Sequence, residues 1–245
     1  TRSDLRWPLP DGMAAHLTGQ RCGEPRRRAK YIMVPLEDNT TLLVHLGMSG
    51  AIRLYDNKPK FGTHDHFSLE METGSWMVFS DPRRFGHLDI IPAGGEAEHP
   101  LLSHLGIEPL SNHLSGPWLS DVLRGKKTPI KSALLDQRLI AGLGNIYVNE
   151  ALHMSGISPR RLAQTIAGKR AEKLVIAIRT VLAAAIEAGG TSLRDHVQPG
   201  GEIGYFVQRL SVYGRTSEPC LTCATPIKEL RQSGRASFYC PSCQR

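Results

Sequence analysis

Long apolar runs are missing from this sequence. No stretch approaches the length that crosses a bilayer, and no charged segment followed by an apolar one opens the chain. Nothing in it reads as a membrane-spanning helix, and cytoplasm, or an equivalent reducing compartment, is the expected setting. Acidic residues are in the minority, 23 Asp+Glu against 30 Lys+Arg, with a formal net charge of +7. That excess favours a polyanionic partner, nucleic acid before membrane surface. No internal repeat is present. Cysteine is scarce, five residues in 245, and unevenly spread. What remains is an ordinary globular composition, 40% hydrophobic and 22% charged, in a chain long enough to bury the core of one large domain or two medium ones.

Four of the five cysteines read C-x2-C-x16-C-x2-C: Cys220, Cys223, Cys240 and Cys243, within "PCLTCATPIKELRQSGRASFYCPSC". Each pair offers two thiolates from one tight turn, and two such turns complete a tetrahedral sulfur cage for one structural Zn2+. Two disulfides are the other pairing the spacing allows, and a reducing setting disfavours them. Sulfur fills all four positions, so no coordination site remains for a catalytic water. Cys22 stands apart and reads as a small hydrophobe or a bystander.

The first ninety or so residues carry strand signals. "AKYIMVPL", "TTLLVHLG", "AIRLYD", "HDHFSLEM", "SWMVFS" and "GHLDII" are short, often alternating, and separated by turn residues, which suggests an antiparallel sandwich or barrel. A loop-rich segment containing "PAGGEAEHP" follows, and then the period turns helical. "SGPWLSDVLRG", "TPIKSALLDQRLI" and "NIYVNEALHMSGI" are expected helices. A long one is expected to start in "SPRRLAQ", with Ser158 as N-cap and Pro159 at its first position. Leu174, Ile178 and Val181 are its core-facing candidates, and Gly189 and Gly190 stop it. The boundaries follow: residues 1–92 an N-terminal β domain, 93–115 a linker, 116–213 a helical domain and 214–245 a zinc-finger hairpin. The fold class is α+β and multidomain.

Three places invite chemistry. "LLDQRLIAGLGNIYVNEAL" joins two helices through a Gly-rich bend, so backbone N–H groups at the second helix's start can face a phosphate. Asn145 adds a side-chain donor there, and Lys126, Lys127 and Lys131 lie nearby in sequence; a plain helical hairpin is the bland account. "HLGMSG" and "DPRRFG" each set a large side chain, Met48 or Phe85, among glycines at a strand end, with Arg83 and Arg84 before Phe85. An apolar wedge beside arginine suits insertion into a base stack, although turn chemistry with a core anchor produces the same pattern. "RRRAKY" brings Arg26, Arg27, Arg28 and Lys30, a solvated basic face on the ordinary account.

"RRAKY", "HLGMSG", "HDH", "DPRRFG", "GLGNIYVNEAL", "GGTSLRD", "GYF", "VYGR" and the four-cysteine ending occur in that order. The sequence thereby resembles formamidopyrimidine-DNA glycosylase, the bacterial base-excision-repair family that removes oxidised purines and then nicks the abasic strand. The likeness runs from about Leu5 to the end. It implies an N-terminal antiparallel β-sandwich, a helix–two-turn–helix domain and a zinc finger, with double-stranded DNA in the cleft between them. It implies that Met48, Arg83 and Phe85 fill the gap left by an everted nucleotide, Arg83 pairing with the orphaned cytosine. Lys30, His45, His64, Lys131, Asn145 and Arg235 would hold phosphates, and Lys30 and Arg235 match positions with proton-transfer roles in elimination. Glu150 matches a buried carboxylate near the lesion pocket, and "QPGGEIGYF" the lid over the flipped base, with Tyr205 nearby. Monomeric action in the bacterial cytoplasm, on the nucleoid, goes with the likeness.

One feature of the family has no counterpart in these residues. Its chemistry starts from an N-terminal proline followed by glutamate, whose secondary amine attacks C1′ of the sugar to form an iminium. This chain begins "TRSDLRWPLP". Two expectations follow: a glycosylase/lyase whose catalytic head lies outside the sequence, or a zinc-dependent binder of damaged or abasic DNA without catalysis. A zinc-ribbon RNA protein accounts for the cysteines but not for the wedge motifs. Met48, Arg83, Phe85 and the "GGTSLRD" wording favour the purine branch over the sister branch that excises oxidised pyrimidines.

Overall fold

The computed structural model describes Leu5, residues 7–191 and residues 205–245, and these form two compact units that divide between Ser103 and His104. The division falls inside the segment read as a linker.

The first unit begins with a short helix α1 (Met13–Leu17) and continues with seven strands: β1 (Arg26–Arg28), β2 (Tyr31–Pro35), β3 (Thr41–His45), β4 (Ala51–Tyr55), β5 (Asp65–Glu70), β6 (Trp76–Ser80) and β7 (His87–Ile91). They make two antiparallel sheets, β1-β2-β3-β7 and β4-β6-β5. Six of the strands lie where alternation places them. Leu42 and Val44 of β3 share a core with Phe67 of β5, Phe79 of β6 and Leu88 of β7, so side chains from both sheets close the sandwich. The β2–β3 turn is held by Asp38, whose Oδ1 accepts from the backbone N–H and the hydroxyl of Thr40, and Asn39 takes the left-handed conformation (φ 66°) that asparagine tolerates. The basic run Arg26–Arg28 is both a solvated face and a strand. It pairs with β2 at the sheet edge, where charged side chains discourage further strand addition.

The second unit holds α2 (Gly116–Leu123), α3 (Ile130–Leu134), α4 (Asn145–Met154), α5 (Lys169–Glu187) and the hairpin β8 (Lys228–Gln232)–β9 (Arg235–Tyr239). Ser115 caps α2 by accepting from Trp118 N–H, as the sequence "SGPW" implies. On α5, Leu174, Ile178 and Val181 are buried, and the helix ends in a Schellman pair: Gly190 N–H to Ala185 O and Gly189 N–H to Ile186 O, both glycines at positive φ. Leu119, Leu123, Ile130, Leu134, Val148 and Leu152 join the same core.

Two helices are shorter than their sequence suggests. α3 stops at Leu134 because Asp136 Oδ1 accepts from Arg138 N–H, offering the chain a local turn instead of another helical bond. Gln137 then stitches the bend, donating to the carbonyls of Leu135 and Leu143 and accepting from Gly142 N–H. The long helix starts at Lys169 and not at Pro159. Ser158 N–H is drawn to Arg245 O and Ala163 N–H to Thr128 O, and Gly168 (φ 52°, ψ −129°) breaks the helical path just before Lys169.

Ile178→Ala is expected to destabilise the second unit by about 2–5 kcal/mol, the usual cost of emptying a fully buried branched side chain. Urea titration followed by far-ultraviolet circular dichroism measures it; a cost near zero would mean the α5 face is not core.

Candidate nucleic-acid interface

In the first unit, the Met48 loop and the Arg83–Phe85 loop are fastened together by backbone. A methyl group on Gly47 would come within 2.6 Å of the carbonyl carbon of Phe85, and one on Gly86 within 2.4 Å of Phe79 Cζ. Only glycine allows this approach at Gly47, which also has φ 67°. Outside the contact, Met48 is 50% and Phe85 37% exposed, with the Arg83 guanidinium 5.1 Å from the Phe85 ring centre. Arg84, between them, sits at φ 59°. Beneath the loops, the carboxylate of Asp81 accepts from Ser49 Oγ, Arg83 N and Gly86 N. Asp81 was not singled out in the sequence, although it opens "DPRRFG".

His45 ends β3 beside Tyr31, the ring centres 5.0 Å apart. Burial, then the charges of Lys30 and His87, hold its pKa below the ordinary histidine value. Its Nδ1 accepts from Gly47 N–H, so the neutral ring carries its proton on Nε2 and presents a donor. Lys30 is exposed in the β1–β2 turn, after Ala29 at φ 52°. His64 is exposed, and its carbonyl accepts from Asp81 N–H.

In the second unit, the four cysteine sulfurs lie within 4.8 Å of one another. The close pairs are Cys220–Cys243 at 3.9 Å, Cys223–Cys240 at 3.4 Å and Cys223–Cys243 at 3.4 Å. A tetrahedral ZnS4 centre has sulfurs about 3.8 Å apart, so the cage fits one structural zinc. His153 Nε2 stands 3.7 Å from Cys220 Sγ, the reach of an N–H···S bond that steadies a metal-binding thiolate from behind. Between the cysteine pairs, Ser233 (φ 49°) and Gly234 (φ 76°) form a two-residue turn of the twist hairpins favour, and Arg235 is exposed immediately after it.

Helix α4 holds this hairpin and the segment that precedes it with one polar stripe. Asn145 Nδ2 donates to Ala236 O, Asn149 Oδ1 accepts from Phe238 N–H, and both oxygens of buried Glu150 are taken by the backbone N–H groups of Ser211, Val212 and Tyr213. His153 completes the stripe at Cys220. Lys131, read above as a phosphate contact, is 0% exposed. Its ammonium donates to Ala236 O (2.5 Å) and Ser237 Oγ (2.7 Å), so it reaches Arg235 through the hairpin and not through solvent. Burial first, and Arg235 second, lower its pKa to about 8. Lys127 is exposed and Lys126 half-buried just before α3. Tyr205 is exposed, and the lid residues 198–204 and most of "GGTSLRD" lie outside the described residues. No motif in the sequence marks Asn149 or His153 as a site residue. The signal available was polar side chains at i, i+4, i+5 and i+8 of an otherwise apolar helix.

A β-sandwich with exposed wedge side chains, and a helical unit that carries a four-cysteine zinc hairpin, define a zinc-finger DNA-binding protein of the helix–two-turn–helix class. Family comparison narrows it. The formamidopyrimidine-DNA glycosylase N-terminal domain matches residues 1–88, the formamidopyrimidine-DNA glycosylase H2TH domain residues 105–197, and the zinc finger found in FPG and IleRS residues 217–245. The formamidopyrimidine-DNA glycosylase of Cereibacter sphaeroides is 51% identical, with all of this chain aligned to 90% of that protein, and that of Azorhizobium caulinodans is 47% identical over the same shares. Among solved structures, the MutM (Fpg) protein from Thermus thermophilus superposes with TM-score 0.86 at 39% identity, covering 96% of this chain and 86% of that one. Lactococcus lactis Fpg, in complex with DNA containing an abasic site, gives 0.87 at 31%, covering 94% and 84%. The chain belongs to the formamidopyrimidine-DNA glycosylase family.

The depressed Lys131 pKa carries a pH signature. From about pH 8 to 10.5 the unfolded chain keeps a proton that the native state has released, so native stability rises with pH across that window. Lys131→Met should lose this rise. Urea unfolding of the zinc-loaded protein at pH 7.5 and 9.5 measures it; equal pH dependence in both proteins would refute the buried-amine assignment.

Proposed function

We propose that this chain recognises duplex DNA at oxidised purines (8-oxoguanine and formamidopyrimidines) and at abasic sites. It acts there as a base-excision-repair glycosylase and AP lyase, through the Schiff-base and β,δ-elimination chemistry of its family. One observation carries the recognition half: Met48, Arg83 and Phe85 stand in water on two loops locked backbone to backbone. Folding alone gives no reason to hold a thioether and a phenyl ring outside the core on so rigid a base. Filling the gap left by an everted nucleotide does, since an apolar wedge there replaces lost stacking while arginine satisfies the orphaned base.

The other roles follow from chemistry. His45, neutral and donating from Nε2, suits a phosphate oxygen, as do exposed Lys30 and His64 in the first unit and, in the second, exposed Lys127 and Arg235 and half-buried Lys126. Asn145 and the first turn of α4, which no side chain caps, add donors at a helix N-terminus. Lys30 and Arg235 serve as proton-transfer groups in elimination. Glu150 sets the 211–213 backbone that follows Tyr205, and both belong to the lesion pocket by this reading. Solved relatives bound to abasic-site DNA and to DNA containing carbocyclic 8-oxo-G support the substrate class. The protein works as a monomer in the bacterial cytoplasm, on the nucleoid.

Binding of duplex DNA with 8-oxoguanine opposite cytosine, followed by fluorescence anisotropy, tests the reading. With four Lys and Arg phosphate contacts, log affinity should fall against log salt with a slope of about −3 to −4, and a flat profile would contradict the assigned contacts. Cys240→Ser is expected to lose zinc and DNA binding together; binding retained without metal would remove the hairpin from the interface. Borohydride reduction of the same mixture reads the lyase half. A protein–DNA crosslink marks an imine and supports it, whereas zinc-dependent binding without a crosslink leaves recognition and removes lyase chemistry from this chain.

A further inference from the structure

The wedge loops converge on one buried residue. Asp81 is 0% exposed and directly follows β6. Its Oδ1 accepts from Ser49 Oγ at 2.6 Å, in the Met48 loop, and from Arg83 N–H at 3.2 Å. Its Oδ2 accepts from Gly86 N–H at 2.6 Å, on the far side of Phe85. Its own N–H donates to His64 O, and its carbonyl accepts from His66 Nε2, both at 2.9 Å. Ser49 Oγ also accepts from Arg83 N–H at 3.1 Å, so the serine bridges the two wedge loops directly. Three chain segments bearing Met48, His64 and Arg83–Phe85 are thus tied to one residue.

A buried carboxylate is costly unless its lone pairs are satisfied, and here two of its three donors are main-chain groups of the Arg83–Gly86 turn. The carboxylate therefore fixes backbone, not merely side chains. Its grip holds Arg83 N and Gly86 N on either side of the left-handed Arg84, which aims Arg83 and Phe85 outward. The serine link extends the same constraint to Met48.

We propose that Asp81 is a positioning residue that makes Met48, Arg83 and Phe85 a single preorganised wedge, inserted into a duplex as a unit through Ser49 and the Gly86 amide. The proposal rests on the recognition reading above. Independent loops would each lose conformational freedom on insertion, whereas a locked wedge has lost it on folding. A residue that only stabilised the fold would change stability and affinity but leave the bound complex as it was.

The experiment uses the full zinc-loaded chain and a duplex with a tetrahydrofuran abasic analogue opposite cytosine, with 2-aminopurine beside that cytosine. Fluorescence at saturating protein reports unstacking per bound complex, independently of affinity. The wild-type protein should raise it. Ser49→Ala should keep the dissociation constant within about threefold, one hydrogen bond's worth, yet lose most of the fluorescence rise. Asp81→Asn should lose it as well, because an amide has one acceptor oxygen where three donors converge and turns N–H against N–H. Either variant, with full zinc content and wild-type melting, that keeps the full rise overturns the proposal. If Asp81→Asn fails to fold, Ser49→Ala decides alone. A wild-type protein that binds with no rise overturns the wedge reading itself, and one that does not bind overturns the recognition reading.

Discussion

The carbonyl of Ala236 is where the second unit is set. It accepts from the buried ammonium of Lys131 on α3 and from Asn145 at the start of α4, so two helices and the zinc hairpin meet at one oxygen. Arg235, the residue before it, cannot drift without breaking both bonds. A two-stranded hairpin is marginal alone in water. Zinc closes its base and α4 holds its flank through Asn149 and His153, so a guanidinium at its tip acquires a fixed address. The metal takes no part in chemistry by this arrangement; it makes a short ribbon rigid enough to aim.

The first unit solves the same problem without metal. There a buried carboxylate takes the place of zinc, drawing backbone N–H groups and a hydroxyl around Asp81. Both devices satisfy the strong ligand atoms they gather, thiolates by a cation and carboxylate by donors, and both leave the side chains they position exposed. The difference suits their loads. A hairpin of five-residue strands needs a covalent-strength clip, whereas loops at the ends of a packed sandwich need only alignment.

Six of the first unit's seven strands, the zinc cage and the Schellman end of α5 were legible because each is a local pattern: alternation, cysteine spacing, paired glycines. The seventh strand, Arg26–Arg28, was hidden because an edge strand carries its signal in its partner, not in its own charged side chains. The misplaced start of α5 has a similar cause. Ser158–Pro159 is a sound helix start, but Ser158 N–H goes to Arg245 O and Ala163 N–H to Thr128 O, partners far away in sequence. The wedge residues stood out as anomalies, large side chains among glycines. Asp81, Asn149 and His153 did not, because their importance lies in which distant backbone group each one meets.

Lys131 shows why such long-range contacts matter for function. Burying Lys131, 0% exposed, beside Arg235 disfavours its charged form, and its lowered pKa records that cost. Two polar acceptors offset part of it, yet a methionine would fill the space with less penalty. On the proposed reading the charge gains its use when an anion arrives: a phosphate held by Arg235 would favour the protonated form of Lys131. The same two cations place positive potential at the hairpin tip, where Arg235 is exposed. On that reading, the repulsion between Lys131 and Arg235 in the free protein is what an anionic partner would relieve.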